Sequence, residues 1–322
     1  MHVLLLHSDV PPDATADEQD TLIAAEAVTE ALQSRGHEVV TAPFRPDVRA
    51  LKKMLGRERP DVVFNLVESV FGAGIYSSLA PAMLARLGVN FTGGSAAHFC
   101  ATTDKPFAKT ILRAAGLPTP DWSAPPVWAG LEQDRAYIVK AADEDSSVGL
   151  DDACVVKGAE VRARAEDSVK RHGGRWFAES YVDGREFNIG VLQEKAGPRV
   201  LPMAEMTFEE WPPDRPRIVG YTAKWADGSF DYNKTIRRFG VESDEPKLAA
   251  ALTDLCRRTW ALFDLTGYVR IDFRVTAAGE PLILEINPNP GIAPDAGFAA
   301  AGAQAGLSYA ELIERIVLAA LP

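Results

Sequence analysis

Arg270, Asp272, Glu285 and Asn287 are the residues of this 322-residue chain whose types and spacing speak most directly of chemistry. Val269, Ile271, Phe273 and Val275 alternate with Arg270, Asp272 and Arg274, and a period of two assigns the apolar and charged sets to opposite faces of a half-buried strand. Ala278-Gly279-Glu280-Pro281 supplies a turn, after which Leu282, Leu284 and Ile286 alternate with Ile283, Glu285 and Asn287 in a second strand. Pairing of the two strands as a hairpin brings Arg270, Asp272, Glu285 and Asn287 to one face. Two carboxylates, an amide oxygen and a guanidinium gathered in this way are costly unless they bind something. A hard divalent cation such as Mg²⁺, which takes carboxylate, phosphate and water oxygens, suits them. A solvated strand face whose acids pair with nearby arginines is the plainer alternative.

The rest of the chain must position that face. His2 to Leu6 reads as a buried first strand of a parallel sheet. Thr15-x-x-Glu18 is a capping box, followed by Leu22, Ile23, Ala27, Val28, Ala31 and Leu32 at helical spacing until Gly36. Strands at Glu38 to Thr41, Val62 to Leu66 and Val89 to Thr92, with a helix around Val48 to Leu55, complete a small α/β layer ending near residue 98. Ligands of open parallel sheets gather at strand carboxyl ends, so the loop from Glu68 through Phe71-Gly72-Ala73-Gly74 borders a substrate site or is a simple turn.

Lys105 and Lys109 lie one helical turn apart ahead of Gly116-Leu117-Pro118, and Lys109 reads as a solvated charge. Tyr137 to Lys140 is a strand that delivers another lysine to the polar loop Asp143-Glu144-Asp145-Ser146-Ser147-Val148-Gly149, whose backbone N–H groups suit phosphate oxygens. Phe177 to Val182 and Glu186 to Val191 read as two strands around Asp183-Gly184. Met203 to Asp231 is proline-rich and irregular. Leu248, Ala251, Leu252, Leu255, Thr259 and Leu262 then mark an amphipathic helix, with Cys256 and Trp260 as packing residues. Ser308-x-x-Glu311 caps a last helix.

Composition narrows the classes. A formal charge of −11 argues against a sequence-independent hold on nucleic acid or on an anionic membrane. No apolar run has membrane-spanning length and no secretory leader is evident, which points to a cytoplasmic protein. Cys100, Cys154 and Cys256 are odd in number and widely spaced, reading as reduced structural thiols, not a disulfide framework or a zinc site.

Taken together, Arg270-x-Asp272, the turn and Leu284-Glu285-Ile286-Asn287-x-x-Pro290-Gly291, with Asp104-Lys105, Val139-Lys140 and Ser146-Ser147-Val148-Gly149 upstream, resemble ATP-grasp ligases, in particular the D-alanine–D-alanine ligase branch. The resemblance runs from about Phe64 to the C-terminus. It implies a mixed α/β (α+β) chain with the ATP-grasp fold. An N-terminal parallel α/β domain (1–98) would be followed by a central subdomain (99–182) and a C-terminal subdomain with the metal hairpin (183–322), the two α+β subdomains sandwiching ATP.

The activity implied is ATP-dependent joining of a small-molecule carboxylate to an amine through an acyl phosphate, with release of ADP and phosphate. Lys105, Lys140 and Lys224 would meet the nucleotide phosphates under the loop Ser146, Ser147, Val148 and Gly149. Glu179 would accept from the adenine amino group, the backbone of Tyr181 and Val182 would read the base edge, and Glu186 would hold the ribose. Asp272, Glu285 and Asn287 would bind Mg²⁺, as two ions, with Mn²⁺ as a substitute. Arg270 and the backbone of Gly291 would stabilise the acyl phosphate and the oxyanion of the adduct, and a homodimer is compatible with the family.

The pattern departs from the family at the substrate end. His7-Ser8-Asp9-Val10-Pro11-Pro12 stands where a glycine-rich turn with a nearby glutamate is usual, Glu68-Ser69 replaces a His-Gly pair, and Ile292-Ala293-Pro294-Asp295-Ala296 replaces small polar residues. Glu68 and Asp295 are therefore candidate substrate contacts, with Asp295 favouring a cationic or neutral amine over a carboxylate if it points inward. A different substrate pair is the reading, against a true D-alanine–D-alanine ligase or a non-catalytic ATP-binding scaffold or sensor.

Overall fold

The computed structural model describes residues 1–144 and 147–321. The first layer is a three-stranded parallel sheet of β1 (His2–His7), β2 (Glu38–Pro43) and β3 (Val62–Leu66) in the order β2-β1-β3. Val89 to Thr92 adds only an isolated bridge, Val63 to Phe91. Val3, Leu5 and Phe64 face α1 (Ala16–Ser34), whereas Leu4, Leu6 and Val63 face α2 (Val48–Glu58) and α3 (Leu79–Leu87). Burial on both sides accounts for the unbroken apolar runs.

α1 does not face the way its apolar residues imply. Thr21, Ala24, Ala25, Val28, Ala31 and Leu32 are buried, while Leu22 and Ile23 are 43% and 57% exposed. Small residues meet the neighbouring elements, and the face carrying Asp17, Asp20 and Thr21 is turned to a cavity.

Two short helices, α4 (Ala96–Thr102) and α5 (Lys105–Ala114), lead to a sheet of β4 (Trp122–Ser123), β5 (Ala136–Ala141), β6 (Val155–Lys157) and β7 (Trp176–Ser180), ordered β4-β7-β5-β6 and covered by α6 (Val161–His172). The Asp104 carboxylate accepts from the Phe107 N–H at 3.0 Å and so caps α5, fixing Lys105 at its first position.

The remaining sheet holds β8 (Arg185–Glu194), β9 (Gly197–Val200), β10 (Ala204–Phe208), β11 (Thr235–Arg238), β12 (Tyr268–Val275) and β13 (Pro281–Asn287), with α7 (Tyr221–Trp225) and α8 (Phe230–Lys234) between β10 and β11. Met203 to Asp231 thus contains a strand and helical turns that its prolines concealed. After α9 (Val241–Asp244), α10 (Pro246–Leu262) buries Leu248, Leu252, Leu255, Cys256, Thr259 and Trp260 against the back of this sheet, so Cys256 and Trp260 are packing residues. Ala251 and Leu262 of that helix face out instead.

The β12–β13 hairpin forms with Arg270 opposite Asn287 and Asp272 opposite Glu285. A bulge then lets Phe273 pair with Ile283, leaving Leu284 as the extra residue. The bulge corrects the simple alternation: Ile283 and Ile286 enter the core, while Leu284 lines the cavity beside Glu285. The chain ends in α11 (Gly297–Gln304) and α12 (Tyr309–Ala319), which return to α1 through one shared core and an Arg35–Glu314 ion pair of 2.5 Å. Among the described residues no helix is long and apolar enough to cross a membrane.

Candidate active site

A cavity of about 930 Å³ opens between the first layer and the two antiparallel sheets. It collects the sequence-predicted residues Arg270, Asp272, Glu285, Asn287 and Gly291, Lys105, Lys140 and Lys224, Glu179, Tyr181, Val182 and Glu186, Ser147 and Val148, and Glu68 and Asp295. Gly149 stands behind them, its φ of +65° and a Cβ position 2.8 Å from His172 and Trp176 leaving room for no other residue. Ser146 lies outside the described residues.

Antiparallel pairing explains the polar face. Residues directly opposite one another share a side, so Asp272 is flanked by Glu285 on β13 and Asn188 on β8. Arg270 Nε donates to Asp272 Oδ1 at 2.8 Å and its Nη2 to Oδ2 at 2.9 Å. Arg270 also stands 3.8 Å from Glu285, and Lys105 Nζ is 3.9 Å from it. Burial, resisted by Arg270 and reinforced by the Glu285 charge, pushes the Asp272 carboxyl up to about 6. Burial works on Glu285 too, but Lys105, Lys140, Arg270 and Lys224 surround it and hold its pKa well below the ordinary value. Burial and the Arg270 charge draw Lys224 down.

Among the described residues no group of three or more His, Cys, Asp or Glu side chains gathers as a complete metal cage. Asp272 and Glu285 with the Asn287 amide instead form the partial oxygen set that suits Mg²⁺ when phosphate oxygens supply the remaining ligands. The Asn287 oxygen is held in place by the Asn289 N–H at 2.9 Å, and Asn289 reaches Tyr268 and the Val67 carbonyl, joining the hairpin to the first layer.

Glu179 is less simple than a base-reading acid. Its carboxylate, 2% exposed, meets Lys109 at 2.7 Å and Lys140 at 2.5 Å. The expectation of a solvated Lys109 is wrong: the side chain is fully buried, bonding to Thr119 at 2.9 Å as well as to Glu179. Burial draws Lys109's pKa down despite Glu179, whereas Glu179 stays ionised against its own burial because it faces two lysines. Lys140 is thus aimed by a charge that Lys109 helps keep buried. Glu186 pairs with Arg274 at 2.8 Å, and the Tyr181 hydroxyl accepts from the Arg217 N–H at 2.9 Å.

Loops from three parts of the chain close on the cavity. Ser147 Oγ donates to the Val219 carbonyl at 2.9 Å, the Tyr221 N–H donates to the Leu150 carbonyl at 3.0 Å, and the Tyr221 hydroxyl donates to Asp17 at 2.9 Å. The Glu144 carboxylate accepts from the Gly74 N–H at 3.0 and 3.1 Å while its carbonyl accepts from Lys105 Nζ at 2.6 Å. This contact gives the acidic loop a structural task. Ser8 Oγ accepts from the Glu68 and Ser69 N–H groups at 3.0 and 3.1 Å, setting Glu68 at the rim. Asp17, Asp20 and Arg237 are cavity residues that the sequence reading missed, and Tyr221 borders them through Asp17. The i, i+3 spacing of the two aspartates was the available signal for the helix face; Tyr221 and Arg237 carried none. Asp20's carboxyl is raised by burial and by Asp295. Asp295 is exposed at the rim, its carbonyl accepts from Arg237 at 3.2 Å, and its charge acts on both Asp20 and Arg237.

Residues 129–318 match the family model described as D-ala D-ala ligase C-terminus. The chain is 32% identical over 302 residues to the uncharacterized protein y4sG of Sinorhizobium fredii, spanning 91% of this chain and 86% of that protein. It is 29% identical over 319 residues to the D-alanine–D-alanine ligase of Moorella thermoacetica, covering 95% and 96% of the two chains. The crystal structure of the Bacillus anthracis D-alanine–D-alanine ligase complexed with ATP superposes over 99% of this chain and 97% of that one, with a TM-score of 0.74 at 17% identity. That similarity establishes the ATP-grasp fold.

Proposed function

The chain belongs to the D-ala D-ala ligase C-terminus family and is an ATP-dependent ligase that forms carbon–nitrogen bonds; from that premise we propose that it joins a small carboxylic acid to an amine through an acyl phosphate, with a substrate pair other than two D-alanines. The observation that carries the reading is the convergence of Lys105, Lys140, Lys224 and Arg270 on Glu285, beside Asp272 and Asn287, on one wall of the cavity. Such a concentration of cations around two acids suits a polyphosphate and a hard cation together.

A carboxylate does not expel oxide in water. One of its oxygens attacks the γ-phosphorus of ATP, the bond from that phosphorus to the bridging oxygen breaks, and ADP leaves with the electron pair. The amine nitrogen then attacks the acyl carbon, loses a proton, and phosphate departs. Asp272, Glu285 and Asn287 would hold Mg²⁺, which would supply charge neutralisation to the phosphate oxygens. The chain's own part is positioning and electrostatics. Lys105, Lys140 and Lys224 hold the phosphates, Lys140 being aimed by Glu179. Arg270 and the Gly291 backbone face the acyl group and stabilise its developing oxyanion. The segment from Val219 through α7, tied to α1 by Tyr221 and to the phosphate loop by Ser147, keeps water from the acyl phosphate.

The departure from D-alanine rests on the substrate end, where Glu68-Ser69, Asp20 and Arg237 line the wall. The test is turnover of ATP and Mg²⁺ with pooled D-amino acids, L-amino acids and amines, resolving ADP from AMP and weighing the products. ADP with a condensed product other than D-alanyl-D-alanine is the expected result. AMP would replace the acyl phosphate by adenylation, and efficient D-alanyl-D-alanine synthesis would overturn the substrate assignment.

A further inference from the structure

Arg237 takes no part in the reaction outlined above, yet it faces the same cavity. It lies in the cross-strand row Arg237, Met206, Glu186 and Arg274, and residues of one row share a face of the sheet. Its guanidinium extends from β11 to the start of α11, where Nη1 donates to the Asp295 carbonyl at 3.2 Å and Nε and Nη2 come within 3.8 Å of the Cβ position of Gly297. A Cβ at position 297 would lie at ordinary contact distance from this fork.

A guanidinium presents five N–H donors in a fixed plane. Among the described residues Arg237 has one acceptor, the Asp295 carbonyl, and no carboxylate within ion-pair distance. The arginines nearby in the sheet are engaged: Arg270 with Asp272, and Arg274 with Glu186. Burial draws Arg237's pKa down, the Asp295 charge opposes this, and the Arg270 charge adds to it. A half-buried cation left with most of its donors turned to a cavity is poorly compensated by the protein alone, and a planar anion offsets the deficit with two parallel charge-assisted hydrogen bonds.

Resting on the ligase reading, we propose that Arg237 is the specificity-determining residue that receives a substrate carboxylate other than the one that is phosphorylated. The substrate pair then carries two carboxylates and the condensed product keeps one. The guanidinium sets a positive charge on this wall beside the negative one expected from Asp295 in the sequence. In this arrangement the anion at Arg237 is held through the reaction and is not consumed by it.

The experiment compares matched substrates in wild type, Arg237→Met and Arg237→Lys. One arm offers each amine partner as the amino acid, its primary carboxamide and its decarboxylated amine. A second arm offers the acid partner as a monocarboxylic or dicarboxylic amino acid, which tells whether the anchored carboxylate arrives with the amine or with the acid. Wild type is expected to prefer the anchored carboxylate over its carboxamide by on the order of 100-fold in kcat/KM, the scale of a lost charge-assisted pair. In Arg237→Met that preference falls to near unity through a KM rise with kcat little changed, and Arg237→Lys, which keeps the charge and loses the fork, recovers part of it. Mg·ATP binding serves as the control for a folded variant. Wild type that uses carboxamides or plain amines as well as the acids would overturn the proposal, as would an Arg237→Met variant that keeps the wild-type preference. Failure of any pair to release ADP would overturn the ligase reading instead, and the two failures are told apart by whether wild type turns over ATP at all.

Discussion

Replacing Glu179 by glutamine removes the charge that holds two lysines, Lys109 at 2.7 Å and Lys140 at 2.5 Å. Lys109 is fully buried, and once Glu179 is neutral its ammonium has a threonine hydroxyl, a neighbouring lysine and the weaker pull of the Glu285 charge. Breaking a buried pair by removing one partner costs about 3–5 kcal/mol, because the remaining charge stays desolvated. Lys109→Met removes a charge that itself costs free energy to bury and leaves Glu179 with Lys140, so the expected loss is smaller, ~1–2 kcal/mol. Urea unfolding of both variants, with midpoint shifts compared at unchanged slope, measures the difference. Glu179's pKa is depressed in the folded protein, so the advantage of wild type over Glu179→Gln is complete above the ordinary carboxylate pKa. It fades as pH falls from there through the folded-state value. Equal losses in the two variants, a Glu179→Gln loss under about 1 kcal/mol, or a wild-type advantage that grows on acidification would refute the reasoning.

Other consequences are open to direct measurement. Tyr221→Phe deletes the hydrogen bond to Asp17 that ties α7 to α1, and its ~1 kcal/mol makes the closed form about fivefold less populated. ADP released per condensed product should then rise above one, and a ratio held at one would show that this contact does not exclude water. Gly149→Ala forces a positive φ on a residue whose Cβ meets His172 and Trp176 at 2.8 Å; strain of ~1–3 kcal/mol should raise KM for ATP about tenfold or more, measured by steady-state kinetics. Chelation of divalent ions should abolish product formation and added Mg²⁺ restore it, checked by mass detection of the product.

The hairpin was legible because period-two alternation determines which side chains share a face, and Arg270, Asp272, Glu285 and Asn287 do share one. The bulge at Leu284 was not: it moves Ile283 into the core by a local change of register that no residue type announces. Lys109 escaped because burial of a lysine depends on a partner supplied by a distant strand, and that partner is Glu179, which the sequence offered as an acid for the adenine amino group. The apolar residues of α1 announce the helix but not the cavity face that Asp17 and Asp20 share. Prolines at 212, 213 and 216 disguised the neighbourhood of β10 and α7 as irregular chain, hiding Tyr221's contact with the first layer. Arg237 belongs to an edge strand with two adjacent arginines, and only the third dimension separates the one that faces the cavity, Arg237, from Arg238, which pairs with Glu209.

The most direct measurement is Mg²⁺-dependent ADP formation with the amine and acid substrates, in wild type and in Glu285→Gln. The substitution keeps the shape of the side chain and removes the charge on which Lys105, Lys140, Lys224 and Arg270 converge. Loss of turnover by a factor of about 100 or more, with the fold intact and the Mg²⁺ requirement shifted to higher concentration, is what phosphoryl transfer on this face requires. Undiminished ADP and product formation by Glu285→Gln would contradict it.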